Sequence, residues 1–144
     1  MRPCRREPVS AVVFDNEAVQ ALVDAHHRKH RDVLAHLEAV QTRRRAGARV
    51  ATLVPTSVRV VAGWDRRAPS AAAVNRLRIV DVPLDTRHAD TAAEVLRDAP
   101  DVGVVDAHLG ATVLHQDGHV VVLAGDPADL HGVTHPRAVT VVRI

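Results

Sequence analysis

The amino-acid sequence predicts an α/β domain in which a central parallel sheet of four to five strands lies between two layers of helices, a three-layer α/β/α sandwich. Short apolar runs that suit buried strands alternate with longer segments that have helical spacing, and strands separated by helices form parallel sheets with helices on both faces. The chain has 144 residues, of which 47% are hydrophobic and 25% charged, as is typical of one folded domain.

The domain is expected to cover residues 11–144, with residues 1–10 as a flexible N-terminal tail. No apolar run approaches the length of about 20 residues that crosses a bilayer. The N-terminal segment carries three arginines but lacks the apolar core of a signal peptide. These features predict a cytoplasmic protein. The single cysteine, Cys4, excludes an internal disulfide.

The predicted strands are the short apolar runs. The first, Ala11–Phe14, ends at Asp15, which is the pattern of a buried strand that leads into a polar site. The four strands predicted after it are Val50–Val54, Arg78–Leu84, Val120–Leu123 and Val139–Val142.

Apolar residues at helical spacing predict the helices between these strands. The longest helix has an apolar stripe between Val33 and Val40 and is expected to end at Gly47. Pro55 is expected to open the helix after the second strand, because proline is tolerated in the first turn of a helix. The predicted helical segments are Glu17–Ala25, His27–Arg45, Pro55–Ala62, Ala68–Leu77, Thr86–Arg97, Asp101–Gln116 and one short turn that ends at Leu130.

Charge is divided unevenly along the chain. Residues 1–80 hold 15 Arg or Lys against 7 Asp or Glu, whereas residues 81–144 hold 4 against 10. A basic half attracts polyanions and an acidic half collects metal ions, although a solvated arginine-rich helix face would give the same count. With one Phe, one Trp and no Tyr, the chain lacks the aromatic platforms on which many RNA-binding domains stack bases. Binding of nucleic acid would therefore depend mainly on phosphates and shape.

Four aspartates are expected to meet at one edge of the sheet. Asp15 directly follows the first strand, and Asp126 and Asp129 follow the fourth. Asp106 lies early in the helix that leads to the fourth strand. Ligands of parallel sheets bind at the carboxyl ends of the strands, and carboxylates that lie close together repel unless a cation neutralises them. An all-oxygen site favours a hard ion, so the sequence predicts Mg²⁺ or Mn²⁺ and chemistry on a phosphodiester.

Each aspartate also has a purely structural interpretation. Asp15 is well placed to cap the helix that opens near Glu17, and Asp126 to cap the turn at Pro127. Asp106 lies among apolar residues, where an unpaired carboxylate is costly, unless it lies on an exposed helix face. If the aspartates have only such structural roles, the protein is an unrelated doubly wound domain whose aspartates serve as caps.

Three segments, taken together, resemble the aspartate motifs of PIN domains. They are Val-Val-Phe-Asp-Asn at 12–16, Val-Val-Asp-Ala-His-Leu-Gly-Ala-Thr at 104–112, and Val-Leu-Ala-Gly-Asp-Pro-Ala-Asp-Leu at 122–130. They occur in the order and spacing of the family, and the resemblance covers residues 10–143. Within the family, the chain is most similar to VapC-type toxins, which are Mg²⁺-dependent ribonucleases held in check by an antitoxin.

The resemblance implies the roles of individual residues. Asp15, Asp106 and Asp126 would be the catalytic residues and bind Mg²⁺ or Mn²⁺, with Asp129 as a further acidic ligand. Asn16 occupies the position beside the first aspartate where the family commonly has a small polar residue, and we assign it to substrate binding. The family also implies a homodimer, an RNA substrate and an antitoxin that inserts a segment into the active-site groove.

Arg59 is a further candidate for substrate binding, on grounds independent of the resemblance. It interrupts an apolar helix beside the predicted site. A guanidinium there is suited to clamp a phosphate or to pair with Asp15 or Asp106.

The chain departs from the family at two positions. Val61 stands where the family usually has a glutamate, on the helix after the second strand, and Ala124-Gly125 stand where it favours Thr or Ser before the fourth-strand aspartate. Loss of one carboxylate weakens metal binding, since affinity follows ligand charge and number. The alternative to a ribonuclease toxin is therefore a catalytically impaired PIN-like scaffold that binds a partner protein or RNA without cleaving it.

Overall fold

The fold is built on a five-stranded sheet. A computed structural model describes residues 7–135, 137 and 139–144, and the side chains of Asp129 and His131 lie outside this description. The strands are β1 (Val9–Phe14), β2 (Ala51–Pro55), β3 (Val80–Val82), β4 (His119–Ala124) and β5 (Thr140–Arg143). They lie in the order β3-β2-β1-β4-β5, and every neighbouring pair is parallel.

Helices connect the strands and cover both faces of the sheet. They are α1 (Asn16–Val23), α2 (His30–Arg45), α3 (Thr56–Ala62), α4 (Ala72–Asn75), α5 (Thr86–Asp98), α6 (Val104–Leu114) and α7 (His131–Thr134). The predicted three-layer α/β/α sandwich with a parallel sheet is therefore confirmed.

Alternation along β1 separates the core into two clusters. Val12 and Phe14 point to the face covered by α1 and α2, where they pack with Leu22, Val33 and other buried residues. Ala11 and Val13 point to the opposite face and pack with buried residues of α5, α6 and α7. Successive side chains of a strand point to opposite faces, so a strand buried on both faces needs a continuous apolar run. The run Ala-Val-Val-Phe meets this need, with each residue at most 4% exposed.

The strand order places a switch point between β1 and β4. Chain segments leave β1 toward α1 on one face, whereas the segment that enters β4 comes from α6 on the other face. At such a point the loops that follow the two strands diverge and leave a crevice at the carboxyl edge of the sheet. Asp15 follows β1 and Gly125 follows β4, so both lie at this crevice.

Several element boundaries differ from the sequence-based prediction. β1 begins at Val9, so residues 9 and 10 belong to the sheet rather than to the tail; Val9 pairs with His119, and Ser10 Oγ lies 2.6 Å from the carbonyl oxygen of Asp117. α2 begins at His30 instead of His27, after a turn region in which Asp24 accepts a hydrogen bond from the backbone of His26.

The segment after α3 differs most from the prediction. The helix expected over residues 68–77 is a 3-10 turn, Pro69–Ala71, followed by the single turn of α4. The strand expected over residues 78–84 has only three residues, Val80–Val82. β3 is an edge strand that pairs with β2 alone, so a short strand is sufficient there.

Gly110 offers a direct test of how α6 packs against α7. A Cβ at Gly110 would lie 2.3 Å from the backbone oxygen of Val133, whereas one at Gly132 in α7 would meet no atom within 4 Å. We predict that Gly110→Ala lowers the free energy of unfolding by about 1–3 kcal/mol, because overpacking against backbone outweighs the better helix propensity of alanine. The matched variant Gly132→Ala should be neutral or more stable. Urea unfolding of both variants checks the prediction, and equal effects would contradict it.

Candidate functional site

Asp15 joins three elements at the switch point. It is the N-cap of α1, and its Oδ1 accepts a hydrogen bond from the backbone N–H of Ala18 at 2.8 Å. Its Oδ2 accepts from the backbone N–H of Gly125 at 3.1 Å, and its own N–H donates to the carbonyl of Leu123 at 3.1 Å. The carboxylate therefore fixes the start of α1 against the end of β4.

The surroundings of Asp15 disfavour its charged form. Burial is the main cause that raises its pKa above the ordinary value, and the negative charges of Glu17 and Asp106 raise it further. The hydrogen bonds from Ala18 and Gly125 act in the opposite direction. The structure thus brings three carboxylates within electrostatic reach at one place.

Asp106 comes to this place from α6. It lies in the first turn of that helix, which Gly103 caps, and its side chain is half-buried. Negative charge is favourable near the positive end of a helix dipole. The residues that follow Asp106 in α6, Ala107, His108 and Leu109, are buried.

Glu17 reaches the site from the first turn of α1. The carboxylate packs directly over Gly125: a Cβ at that glycine would lie 1.3 Å from Glu17 Oε2. Lys29 donates a hydrogen bond from Nζ to Glu17 Oε1 at 2.7 Å. This bond is the main cause that lowers the pKa of Glu17, and the positive charges nearby act in the same direction.

Asp126 has a different environment from Asp15. Its side chain is exposed, and its Oδ1 accepts a hydrogen bond from the backbone N–H of Ala128 at 3.1 Å, so it caps the 3-10 turn Pro127–Asp129. The capping that the sequence allowed is thus present at both Asp126 and Asp15. The side chain of Asp129 lies outside the described part of the structure.

Asn16 and Val61 lie on the two helices that border the crevice. Asn16 is the first residue of α1, and its Oδ1 accepts a hydrogen bond from Gln20 Nε2 at 3.4 Å. Val61 on α3 is 53% exposed and its neighbour Val60 is 80% exposed. The position where the resemblance leads one to expect a glutamate therefore presents an apolar side chain to solvent.

Arg59 pairs on the β3 side of the site. Its Nη1 donates to Asp81 Oδ2 at 2.7 Å, its Nη2 donates to the carbonyl of Trp64 at 3.2 Å, and its Cζ lies 5.4 Å from the centre of the Trp64 ring. Asp81, rather than Asp15, supplies a counter-charge to Arg59, and pairing of Arg59 with Asp106 stays a prediction. Its contact with substrate stays a prediction.

The donor set fits a hydrated divalent ion. No three His, Cys, Asp or Glu side chains among those described are arranged to hold a metal ion. Asp15 and Asp106 nevertheless supply hard oxygen donors whose mutual repulsion a cation would relieve. Mg²⁺ is commonly bound through one or two carboxylates and keeps several waters. Two carboxylates would therefore be sufficient for Mg²⁺ or Mn²⁺, with water as the remaining ligands.

The fold also occurs among solved structures. A chain in the crystal structure of VapBC2 from Rickettsia felis, bound to a DNA fragment from their promoter, superposes with a TM-score of 0.58 over 93% of this chain and 98% of that chain, at 8% identity. At this identity the likeness shows a shared α/β/α fold, which is consistent with the PIN-like sandwich that the sequence predicts. No protein-family model matches the chain, and no curated protein sequence matches it. None of the described helices is long and apolar enough to cross a membrane.

Glu17 stands two residues after Asp15, so the sequence allows it either to replace the missing carboxylate or to favour the N-terminus of α1 through the helix dipole. The sequence does not show its contact with Gly125, where any side chain would overlap the Glu17 carboxylate as it is placed in this structure.

Asp15 and Glu17 are predicted to affect the pH dependence of stability in opposite directions. The pKa of Asp15 is raised on folding, so its stabilising contribution is complete below its unfolded pKa and is lost as the pH rises through the folded pKa. The pKa of Glu17 is lowered, so its contribution is complete above its unfolded pKa and is lost as the pH falls through the folded pKa.

The test is chemical unfolding without divalent ions from about pH 3 to about pH 7. Relative to the wild type, Asp15→Asn should gain stability as the pH rises, and Glu17→Gln should lose about 0.2–1 kcal/mol, the range for a partly exposed ion pair. Slopes of the same sign in the two variants would contradict this electrostatic description.

Proposed function

We propose that this protein is a VapC-like toxin of a type II toxin–antitoxin pair that acts as a Mg²⁺- or Mn²⁺-dependent endoribonuclease. The observation that carries the proposal is the meeting of Asp15, Asp106 and Glu17 at the switch point of a PIN-like sheet, where burial and then the charges of Glu17 and Asp106 raise the pKa of Asp15. Such a cluster is unfavourable in isolation and favours a bound cation.

The residues of the chain have distinct roles in this proposal. Asp15 and Asp106 would hold the cation, and the backbone N–H groups of Ala18 and Gly125 keep the Asp15 carboxylate in one orientation. When bound, the divalent ion would supply Lewis-acid stabilisation of the phosphodiester and activation of water. The exposed Asp126 would be the third acidic residue at the rim, where substrate enters.

The basic half of the chain supports RNA as the substrate. Residues 1–80 carry most of the arginines, and arginine recognises phosphate through its planar fork of donors. Arg67 has a side chain that is 91% exposed and lies after α3, which begins at the carboxyl edge of the sheet. Phosphate contacts of this kind would be independent of base stacking.

The fold likeness to a chain of a VapBC2 assembly supports an antitoxin partner. Val60 and Val61 on α3 and Val104 on α6 are each more than half exposed, and α3 packs against α6. Exposed apolar side chains on neighbouring helices are typical of protein interfaces. We include both an antitoxin and a second copy of the chain as partners of the proposed toxin.

Two observations favour the second candidate, a PIN-like scaffold that binds a partner or RNA without cleavage. The α3 position expected to hold a glutamate is the exposed Val61, and Lys29 already neutralises Glu17. Both features reduce the negative charge available to a cation. Wild-type protein that binds RNA or a partner but leaves RNA intact in Mg²⁺ and in Mn²⁺ would establish the scaffold.

Cleavage of RNA tests the proposal. We predict that the wild type cleaves RNA in Mg²⁺ or Mn²⁺, that EDTA stops the reaction, and that Asp106→Asn lowers the rate by about 100-fold or more, as for the loss of one electrostatic group in an active site. Asp117→Asn is the matched control, because it removes an exposed carboxylate in the turn after the same helix. Cleavage that persists in EDTA, or equal rates for the two variants, would contradict the proposal.

A further inference from the structure

Glu17 and Gly125 are fitted to each other. A Cβ on Gly125 would overlap Glu17 Oε2 at 1.3 Å and approach Glu17 Cβ at 2.9 Å. The N–H of the same glycine donates to Asp15 Oδ2 at 3.1 Å. Gly125 therefore contacts both acidic residues, one through its backbone donor and one through the space that its missing side chain leaves. This arrangement places the Glu17 side chain, which is 33% exposed, at the carboxyl edge of the sheet.

Lys29 is the counter-charge at this position. Its Nζ lies 2.7 Å from Glu17 Oε1, and its side chain is 15% exposed. The backbone N–H of Lys29 donates to His27 Nδ1 at 3.1 Å, and its carbonyl accepts the N–H of Val33 at the start of α2. These bonds fix the turn that carries the ammonium group. Lys29 is also the single lysine in a chain with 19 basic residues.

When no cation is bound, the ionised carboxylates of Asp15, Asp106 and Glu17 would together carry three negative charges. The Lys29 ammonium offsets one of these charges and is bonded to Glu17 alone among the described contacts. A divalent cation that enters the site would gain a third carboxylate ligand if Glu17 released the Lys29 ammonium and bound the cation instead. More carboxylate ligands mean tighter binding of a hard cation.

We propose that Glu17 is the third carboxylate of the cation site and that Lys29 is a tethered counter-ion which a divalent cation must displace from it. This inference rests on the proposed function. Glu17 would replace the glutamate carboxylate that is absent at Val61, and Gly125 would leave room for the Glu17 carboxylate. Lys29 accordingly sets how tightly the site binds a cation.

Calorimetric titration with Mn²⁺ alone tests the inference without any activity measurement. Lys29→Met should raise Mn²⁺ affinity on the order of tenfold, because a positive charge near the site is removed. Glu17→Gln should lower it by a similar factor, and the double variant should bind like Glu17→Gln, because Lys29 acts through Glu17. Arg31→Met is the matched control; it removes an exposed positive charge from the first turn of α2 and should leave the affinity near that of the wild type.

A second measurement confirms that the variants fold and that the ion pair is present. In the absence of metal, thermal unfolding of the wild type, the two single variants and the double variant gives a double-mutant cycle. The coupling free energy between Glu17 and Lys29 from this cycle should be favourable. Absence of coupling in folded variants would overturn the inference, because the tethered ammonium would then not interact with Glu17 in solution.

Asp106→Asn separates this inference from the proposed function. Loss of Mn²⁺ binding in Asp106→Asn, with no change in Lys29→Met and Glu17→Gln, would overturn the inference and leave the proposed site intact. Binding that survives Asp106→Asn would overturn the proposed site. Equal gains in Lys29→Met and Arg31→Met would show a general charge effect and overturn the role of Lys29. Absence of binding in every variant at millimolar Mn²⁺ would overturn both, whereas binding gained only in Lys29→Met would support both.

Discussion

The Asp15 carboxylate is the contact on which the functional edge of this fold depends. One oxygen caps α1 through Ala18, and the other accepts the N–H of Gly125 after β4. Both hydrogen bonds are strongest when the carboxylate is charged, yet burial and the two nearby carboxylates disfavour the charge. The same group thus fixes the local backbone and stores electrostatic repulsion. A cation at this place would strengthen the fold and complete the site together.

The remaining charges are distributed so that the two ends of the crevice differ. On the α1 side, Glu17 is held between Gly125 and the Lys29 ammonium. On the β3 side, Asp81 is shared by Arg59 and Arg66, and Arg66 also lies over the Trp64 ring at 4.2 Å. The second group is an ion-paired cluster around the buried Trp64. Glu17 borders the site, and its charge is balanced by the partly buried Lys29. A cation bound at the site could therefore break this ion pair.

The sequence predicts the sheet because apolar runs that suit strands buried on both faces alternate with helices, as in a parallel sheet. Of the four aspartates expected to meet at its carboxyl edge, Asp15 and Asp106 lie within electrostatic reach of each other, and a site shared by all four stays a prediction. The sequence does not predict Glu17 against Gly125, since their contact joins β1–α1 to the end of β4 and depends on a space that only packing defines. It also does not predict the partner of Arg59, because Asp81 lies on an edge strand whose register with β2 is set by tertiary pairing.

Anomalous diffraction from crystals grown with Mn²⁺ would decide whether the aspartates hold a cation, because it places the ion relative to named oxygens. We predict a manganese ion at the carboxyl edge of β1 and β4, with oxygens of Asp15 and Asp106 at about 2.0–2.6 Å. Glu17 is expected to turn from Lys29 toward the ion. A crevice without manganese at millimolar Mn²⁺, in which the Asp15 carboxylate keeps its hydrogen bonds to Ala18 and Gly125, would contradict a cation site and leave Asp15 and Asp126 as structural caps.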